Sequence, residues 1–166
     1  MNQPRTPTNP PDGDTHFDAI DQAARASAIA SIAHRGQVDK LGDPYIDHPR
    51  RVAATVSDDP VAVPVAWLHD VVEDTGISAA DLAAAGIHPA AIEAVILLTR
   101  TDGVPDDVYY RRISNHPVAR AVKLADIADN TAPDRVARLT ESDRARLTAK
   151  YAKARQVLGE ESEATR

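Results

Sequence analysis

The chain has no cysteine, one tryptophan, one phenylalanine and one methionine among its 166 residues. Without cysteine there is no disulfide, no thiolate nucleophile and no cysteine-ligated zinc. Aromatic residues make up only 4 %, so the core has to be aliphatic, built from Ala, Val, Ile and Leu. A surplus of positive charge is also missing: 19 basic against 25 acidic side chains give a net charge of −6. That balance does not fit a protein that grips a nucleic-acid polymer. An acidic chain can still hold a phosphate, through a local basic patch or a metal ion. No apolar run reaches the roughly 20 residues that span a bilayer. The first residues, "MNQPRTPTNPPDGD", lack the apolar stretch of a signal peptide. The expected compartment is the cytoplasm.

Residues 1–13 hold four prolines and almost nothing apolar, and read as a disordered tail. One folded domain is expected over 14–158, with 159–166 as a flexible C-terminus. Its segments read as helices joined by short turns. "THFDAIDQAARASAIASIAHRG" has helical apolar spacing and stops at Gly36. "QVDKLGDPYID" reads as a loop, and Pro49 suits the first turn of the helix after it. Val61 to about Asp74 reads as a third, strongly apolar helix. Ser78 and Asp81 have capping-box spacing and Gly86 is a stop. Helices follow at "PAAIEAVILLTR", "DDVYYRRIS", "PVARAVKLADIADNT" and roughly Ser142 to Leu158. No segment alternates with period two. The fold class is all-α, a bundle of about eight helices with no sheet.

The unusual stretch is "VAVPVAWLHDVVEDTG". His69 and Glu73 share one helix face, as do Asp70 and Asp74, so all four can address one cleft. His69 and Asp70 lie between "VAWL" and "VV". A buried carboxylate there needs a cation, and no Lys or Arg lies between Pro60 and Arg100. The cation comes from elsewhere in the fold, or it is a metal. In "VKLADIADNT", Asp126 follows apolar residues and Asn130 sits one turn later, whereas Asp129 reads as a surface residue. Three histidines precede proline. His88 and His116 read as helix starts, and His48 follows a turn that can aim it inward. His34 reads as structural, or as support for a ligand, rather than as a ligand itself. Two imidazoles and two carboxylates from three helices suit an octahedral Mn²⁺, Fe²⁺ or Zn²⁺ site rather than Ca²⁺. A neighbouring carboxylate outside that set would orient or deprotonate a water. Arg50, Arg51, Arg111 and Arg112 read as solvated helix faces, with Arg111 or Arg112 the candidate to lean over the cleft.

"AHRGQVDKLGDPYIDHPRRVA", "AWLHDVVEDTGIS", "AIEAVILLTR" and "VKLADIADN" occur in that order. This series resembles the hydrolase domain of RelA/SpoT-type alarmone enzymes, within the HD-domain metal-dependent phosphohydrolases. The small alarmone hydrolases that lack a synthetase domain are nearest in size. The resemblance implies an HD-domain helical bundle that removes the 3′-pyrophosphate of ppGpp or pppGpp. It implies Mn²⁺ held by His48, His69, Asp70 and Asp126, with Glu73 and Asp74 activating and positioning the water. It also implies that Lys40, Asn130 and Tyr151 contact the nucleotide. The expected partner is a small nucleotide, with no nucleic-acid polymer and no membrane. Sequence leaves the oligomeric state open.

Two departures bear on the substrate. The family commonly has Arg-Lys where this chain has Asp39-Lys40, and the stretch after "KLAD" normally carries basic residues that are replaced here by Thr131, Ala132 and Pro133. Both remove positive charge near the expected nucleotide. Two other readings therefore stay open: an HD-type phosphatase acting on another nucleotide, including NADPH, and a non-catalytic metal-containing nucleotide sensor. A cyclic-dinucleotide phosphodiesterase fits less well, because that branch uses extra histidines for a second metal.

Overall fold

The structure is a computed structural model that describes residues 18–159. The Pro-rich segment and the last seven residues, read above as flexible, lie outside the described residues. The helices are α1 Ala19–Ala33, α2 Asp47–Thr55, α3 Ala62–Leu68, α4 Val71–Asp74, α5 Ala79–Ala84, α6 Pro89–Leu98, α7 Asp106–Ser114, α8 Pro117–Asn130, α9 Pro133–Ala137 and α10 Glu141–Leu158. Among the described residues there is no strand, only an isolated antiparallel bridge between Val38 and Pro44. The all-α expectation holds. The count is ten rather than about eight for two reasons. The expected third helix breaks at His69–Asp70 into α3 and α4, and Pro133 starts a short extra helix, α9.

Local chemistry sets most boundaries. Asp18 caps α1 by accepting from the backbone N–H of Ile20 and Asp21. Ser78 and Asp81 close both halves of the expected capping box on α5. His88 and His116 are side-chain N-caps, accepting from the N–H of Ala90 and Ala119, with Pro89 and Pro117 in the first turns. The third His-Pro pair behaves differently. α2 has no side-chain cap, so the His48 ring is left for the interior. Gly159, placed in the flexible tail from sequence, ends α10 in the left-handed conformation at φ 74°.

α3 is the centre of the molecule. Ala62, Val65, Ala66 and Leu68 are fully buried, and α3 packs on α1, α2, α6 and α8. Ala26 and Ala30 on α1 have no side chain beyond Cβ, which lets α1 lie close against it. A second layer of α7, α8 and α10 buries Tyr110, Ile113, Val122, Tyr151, Ala154 and Leu158. Each fully buried Leu or Ile contributes about 1.5–3 kcal/mol of apolar transfer free energy. α8 belongs to both layers. One of its faces supplies core residues and its next positions supply Asp126, Asp129 and Asn130. The rigid seam between the layers is where the polar residues meet.

Candidate functional site

His69 and Asp70 are consecutive, and in a regular helix their side chains would point about 100° apart. The chain leaves helical geometry between α3 and α4, with φ −104° at Asp70. That break turns both side chains the same way, so His69 Nε2 lies 3.0 Å from Asp70 Oδ2. α2 brings His48 to the same point: its Nε2 is 3.2 Å from His69 Nε2 and 3.6 Å from Asp70 Oδ2. The ligand-type atoms of His48, His69 and Asp70 all fall within 4.8 Å of one another. Asp126 Oδ1, from α8, is 3.3 Å from His48 Nε2.

The far side of each imidazole decides what these atoms are. His69 Nδ1 lies 2.7 Å from the carbonyl of Ala66, and His48 Nδ1 lies 2.7 Å from Asp129 Oδ2. A carbonyl and a carboxylate only accept, so each Nδ1 carries the proton and donates. In the neutral rings both Nε2 atoms are bare lone pairs. With both rings neutral, two lone pairs and two carboxylates converge, and such a set calls for a cation, a proton or a metal ion. For metal–ligand bonds of about 2.1 Å, neighbouring ligand atoms of an octahedron lie about 3 Å apart, which these separations match. The residues fit a divalent transition metal.

The electrostatics point the same way. Burial disfavours charge on His48, but the hydrogen bonds to Asp126 and Asp129 outweigh it and raise its pKa to about 9. Burial likewise opposes charge on Asp70 and Asp126. His69 overcomes it for Asp70, and Lys123 with His48 overcomes it for Asp126, so both carboxyls stay well below the usual range. Lys123 Nζ donates to Asp126 Oδ2 at 2.8 Å and Asn130 Nδ2 to Oδ1 at 2.6 Å. Asp126 is therefore the ligand candidate with protein partners on both oxygens.

A cavity of about 430 Å³ opens over this cluster. Its wall contains every residue assigned from sequence except buried His69: His48, Asp70 and Asp126; Glu73 and Asp74; Lys40, Asn130 and Tyr151. Glu73 Oε2 accepts from the backbone N–H of Arg100 at 2.8 Å. The Tyr45 hydroxyl lies 2.6 Å from Asp70 Oδ2 and 3.1 Å from Asp74 Oδ2, and ties the two carboxylates together. Asn130 serves Asp126 in this structure. Tyr151 is buried on α10, and burial raises its phenol to about 12. His34 supports the site from behind: it is buried, stacks on Tyr45 at 4.8 Å and bonds Gln37, whose amide reaches the backbone of Asp74.

Three readings from sequence need correction. Asp129 is not a surface residue: its side chain is 7 % exposed and it holds His48. Arg51 is not merely solvated, since its Nε and Nη2 donate to Asp129 at 2.5 and 3.0 Å. Those bonds and the one from His48 outweigh burial and hold the Asp129 carboxyl down at about 2. Arg111 and Arg112 do not lean over the cleft. Both are exposed, and Arg111 pairs with Asp107. Arg100, Lys123, Arg135 and Lys150 face the cavity instead. Tyr45, Asp129, Lys123 and Arg135 were assigned no role from sequence. Tyr45 lies inside "PYIDHP", and Asp129 lies one turn from Asp126, so those two left a signal. Arg135 left none.

An all-helical domain with facing histidine and aspartate ligand atoms at the break between two helices is thus defined by geometry alone. Comparison with known proteins places it more closely. No family model matches the chain. A GTP pyrophosphokinase of Streptomyces coelicolor is 44 % identical over 64 residues, 37 % of this chain and 8 % of that protein. The bifunctional (p)ppGpp synthase/hydrolase SpoT of Escherichia coli K12 is 38 % identical over 68 residues, 39 % of this chain and 10 % of that protein. The guanosine-3′,5′-bis(diphosphate) 3′-pyrophosphohydrolase of Haemophilus influenzae is 50 % identical over 50 residues, 28 % of this chain and 7 % of that protein. The matched segments span only about a tenth or less of these curated relatives. A solved structure of a metazoan ortholog of SpoT that hydrolyzes ppGpp superposes with a TM-score of 0.69 at 24 % identity, over 82 % of this chain and 85 % of that one. The fold is that of the SpoT-ortholog domain. At 24 % identity that likeness is one of fold, and the curated matches add local similarity to segments of much longer proteins. No helix among the described residues is long and apolar enough to cross a membrane.

Proposed function

We propose that this protein is a metal-dependent phosphohydrolase of the cytoplasm that removes the 3′-pyrophosphate of guanosine tetra- or pentaphosphate. The products are GDP or GTP and pyrophosphate. One observation carries the reading: two imidazole Nε2 atoms and two carboxylates converge beside a nucleotide-sized cavity. The metal assigned to His48, His69, Asp70 and Asp126 is Mn²⁺. When bound, it supplies Lewis acidity toward a phosphoryl oxygen and toward water.

The chain's own residues do the rest. Glu73 and Asp74 line the cavity with carboxylate oxygens that accept the proton of the attacking water. Arg100 N–H and the Tyr45 hydroxyl fix those carboxylates before the substrate arrives, so no reorganisation is needed during reaction. The water oxygen bonds to the phosphorus attached to the ribose 3′ oxygen. The P–O3′ bond breaks, and the 3′ oxygen leaves with a proton. Lys40, Asn130 and Tyr151 contact the nucleotide, and the cationic side chains of Lys123 and Lys150 offset the charge of the polyphosphate.

The test is pyrophosphate release from ppGpp by metal-free protein reconstituted with Mn²⁺, with Asp70→Ala as control. Rapid release that disappears in the variant is the expected result. Stoichiometric metal binding without release would overturn the reaction assigned. It would favour a phosphatase for another nucleotide, NADPH included, or a nucleotide sensor, which a substrate panel separates. Asp39 on the cavity wall motivates that panel.

A further inference from the structure

α9 sends one side chain into the cavity wall, that of Arg135, which is 15 % exposed. Its Nη2 donates to Asp39 Oδ2 at 2.9 Å. Its Nε is buried and has no hydrogen-bond partner. The nearest other carboxylate, Asp129 Oδ2, lies 3.8 Å from that Nε, within ion-pair range but too far for a hydrogen bond. A guanidinium carries five N–H donors in a rigid fork. Among the described residues the bond to Asp39 is the one hydrogen bond this fork makes. Buried donors in folded proteins are almost always satisfied. An under-used guanidinium beside an open cavity is therefore placed to receive an acceptor from a ligand.

Asp39 is the device that puts it there. Its Oδ1 accepts from the backbone N–H of Leu41 and Asp43 at 2.8 and 3.0 Å, so that oxygen is committed to its own turn. Its Oδ2 takes Arg135. Arg138 grips Asp43 with two bonds, at 2.5 and 3.1 Å, and fastens the same loop to the residue that follows α9. Lys40, Leu41, Asn130 and Leu139 line the same cavity.

We propose that Arg135 is a specificity-determining residue whose guanidinium donates to an acceptor group on the bound nucleotide. Two groups offer that chemistry: the O6/N7 edge of guanine and the second diphosphate. The proposal rests on the reading of the cavity as a nucleotide site.

The experiment is calorimetric binding of GDP, ADP and inorganic pyrophosphate to the full-length Mn²⁺-loaded protein, with Arg135→Gln, Arg135→Lys and Asp39→Asn. Each variant is first checked for Mn²⁺ affinity and thermal unfolding. Arg135→Gln should weaken GDP binding about tenfold, as loss of one forked contact does. Arg135→Lys, which keeps the charge and the pairing with Asp39, should lose most of the same affinity, and it serves if the Gln variant does not fold. Asp39→Asn keeps the turn-forming oxygen but turns an amide NH₂ toward the guanidinium, so Arg135 loses its anchor and GDP binding should weaken as well. A purely structural ion pair survives in Arg135→Lys, so GDP binding by that variant at the wild-type level overturns the proposal. Loss confined to GDP assigns the guanine edge, and equal loss for all three probes assigns a phosphate. Arg135-dependent GDP binding without pyrophosphate release from ppGpp would retire the reaction and keep the residue. Release from ppGpp with an unchanged KM in Arg135→Gln would do the opposite. A wild-type protein that binds none of the probes overturns the assignment to Arg135.

Discussion

Asp129→Asn is the substitution that probes the metal site through a residue unable to touch the metal. The native carboxylate accepts from His48 Nδ1 at 2.7 Å and from Arg51 Nε and Nη2 at 2.5 and 3.0 Å. Asparagine has the same shape but one acceptor oxygen. If that oxygen stays on Arg51, the amide NH₂ faces His48 and forces the imidazole proton onto Nε2, where a metal needs a lone pair. If it turns to His48, the amide confronts the Arg51 guanidinium with a second set of donors. Loss of such an outer partner typically costs 10–100-fold in metal affinity, about 1.4–2.8 kcal/mol. We expect Asn near the upper end, because the tautomer is inverted. Asp129→Ala, which only frees the ring, should fall near the lower end. Calorimetric titration of the metal-free protein with Mn²⁺ at neutral pH reads this directly, and far-ultraviolet circular dichroism checks the fold. An Asn variant that is folded and binds Mn²⁺ within about twofold of wild type would refute the tautomer reasoning and return Asp129 to a purely structural role.

Three further outcomes are expected. In the metal-free protein, burial opposes the charge on His48, but the bonds to Asp126 and Asp129 raise its pKa from 6.5 to about 9. The stability this gives is complete below the ordinary value of 6.5 and is lost as pH rises through about 9; metal, which competes with that proton, should reverse the slope. Urea unfolding across that window, with and without saturating Mn²⁺, would sink the idea if both slopes agreed. Tyr45→Phe removes the hydroxyl that ties Asp70 to Asp74 and should slow pyrophosphate release about tenfold with Mn²⁺ still bound, since hydrogen bonds to charged groups contribute about 1.5–3 kcal/mol. Steady-state kinetics beside a Mn²⁺ titration would show it. Leu82→Ala empties a fully buried position on α5 and should cost about 2–5 kcal/mol in urea unfolding while leaving Mn²⁺ affinity unchanged. A matching loss of metal affinity would mean that α5 supports the site.

What could be read from the chain follows the range over which each signal acts. Ser78 with Asp81, Pro89 and Pro117 in first turns, and Gly86 as a stop all work within a few residues, and the helices they bound are where the sequence placed them. The clustering of His69, Asp70, Glu73 and Asp74 was visible for the same reason, because helical spacing puts them on neighbouring faces. The break at His69–Asp70 was not visible, since "VAWLHDVVED" holds no Gly or Pro to mark it, although His, Asp and Val are weak helix formers. Long-range charge pairing was the other blind spot. Asp129 and His48 stand 81 residues apart, and Asp39 and Arg135 96 apart. Read locally, Asp39 removes positive charge from the cavity. In the folded chain it anchors an arginine supplied by α9. A carboxylate at one position and the guanidinium it holds at another are one feature in space and two unrelated ones in sequence. For this reason the cluster of His48, His69, Asp70 and Asp126 was legible from short motifs, and the Asp39–Arg135 pair on the cavity wall was not.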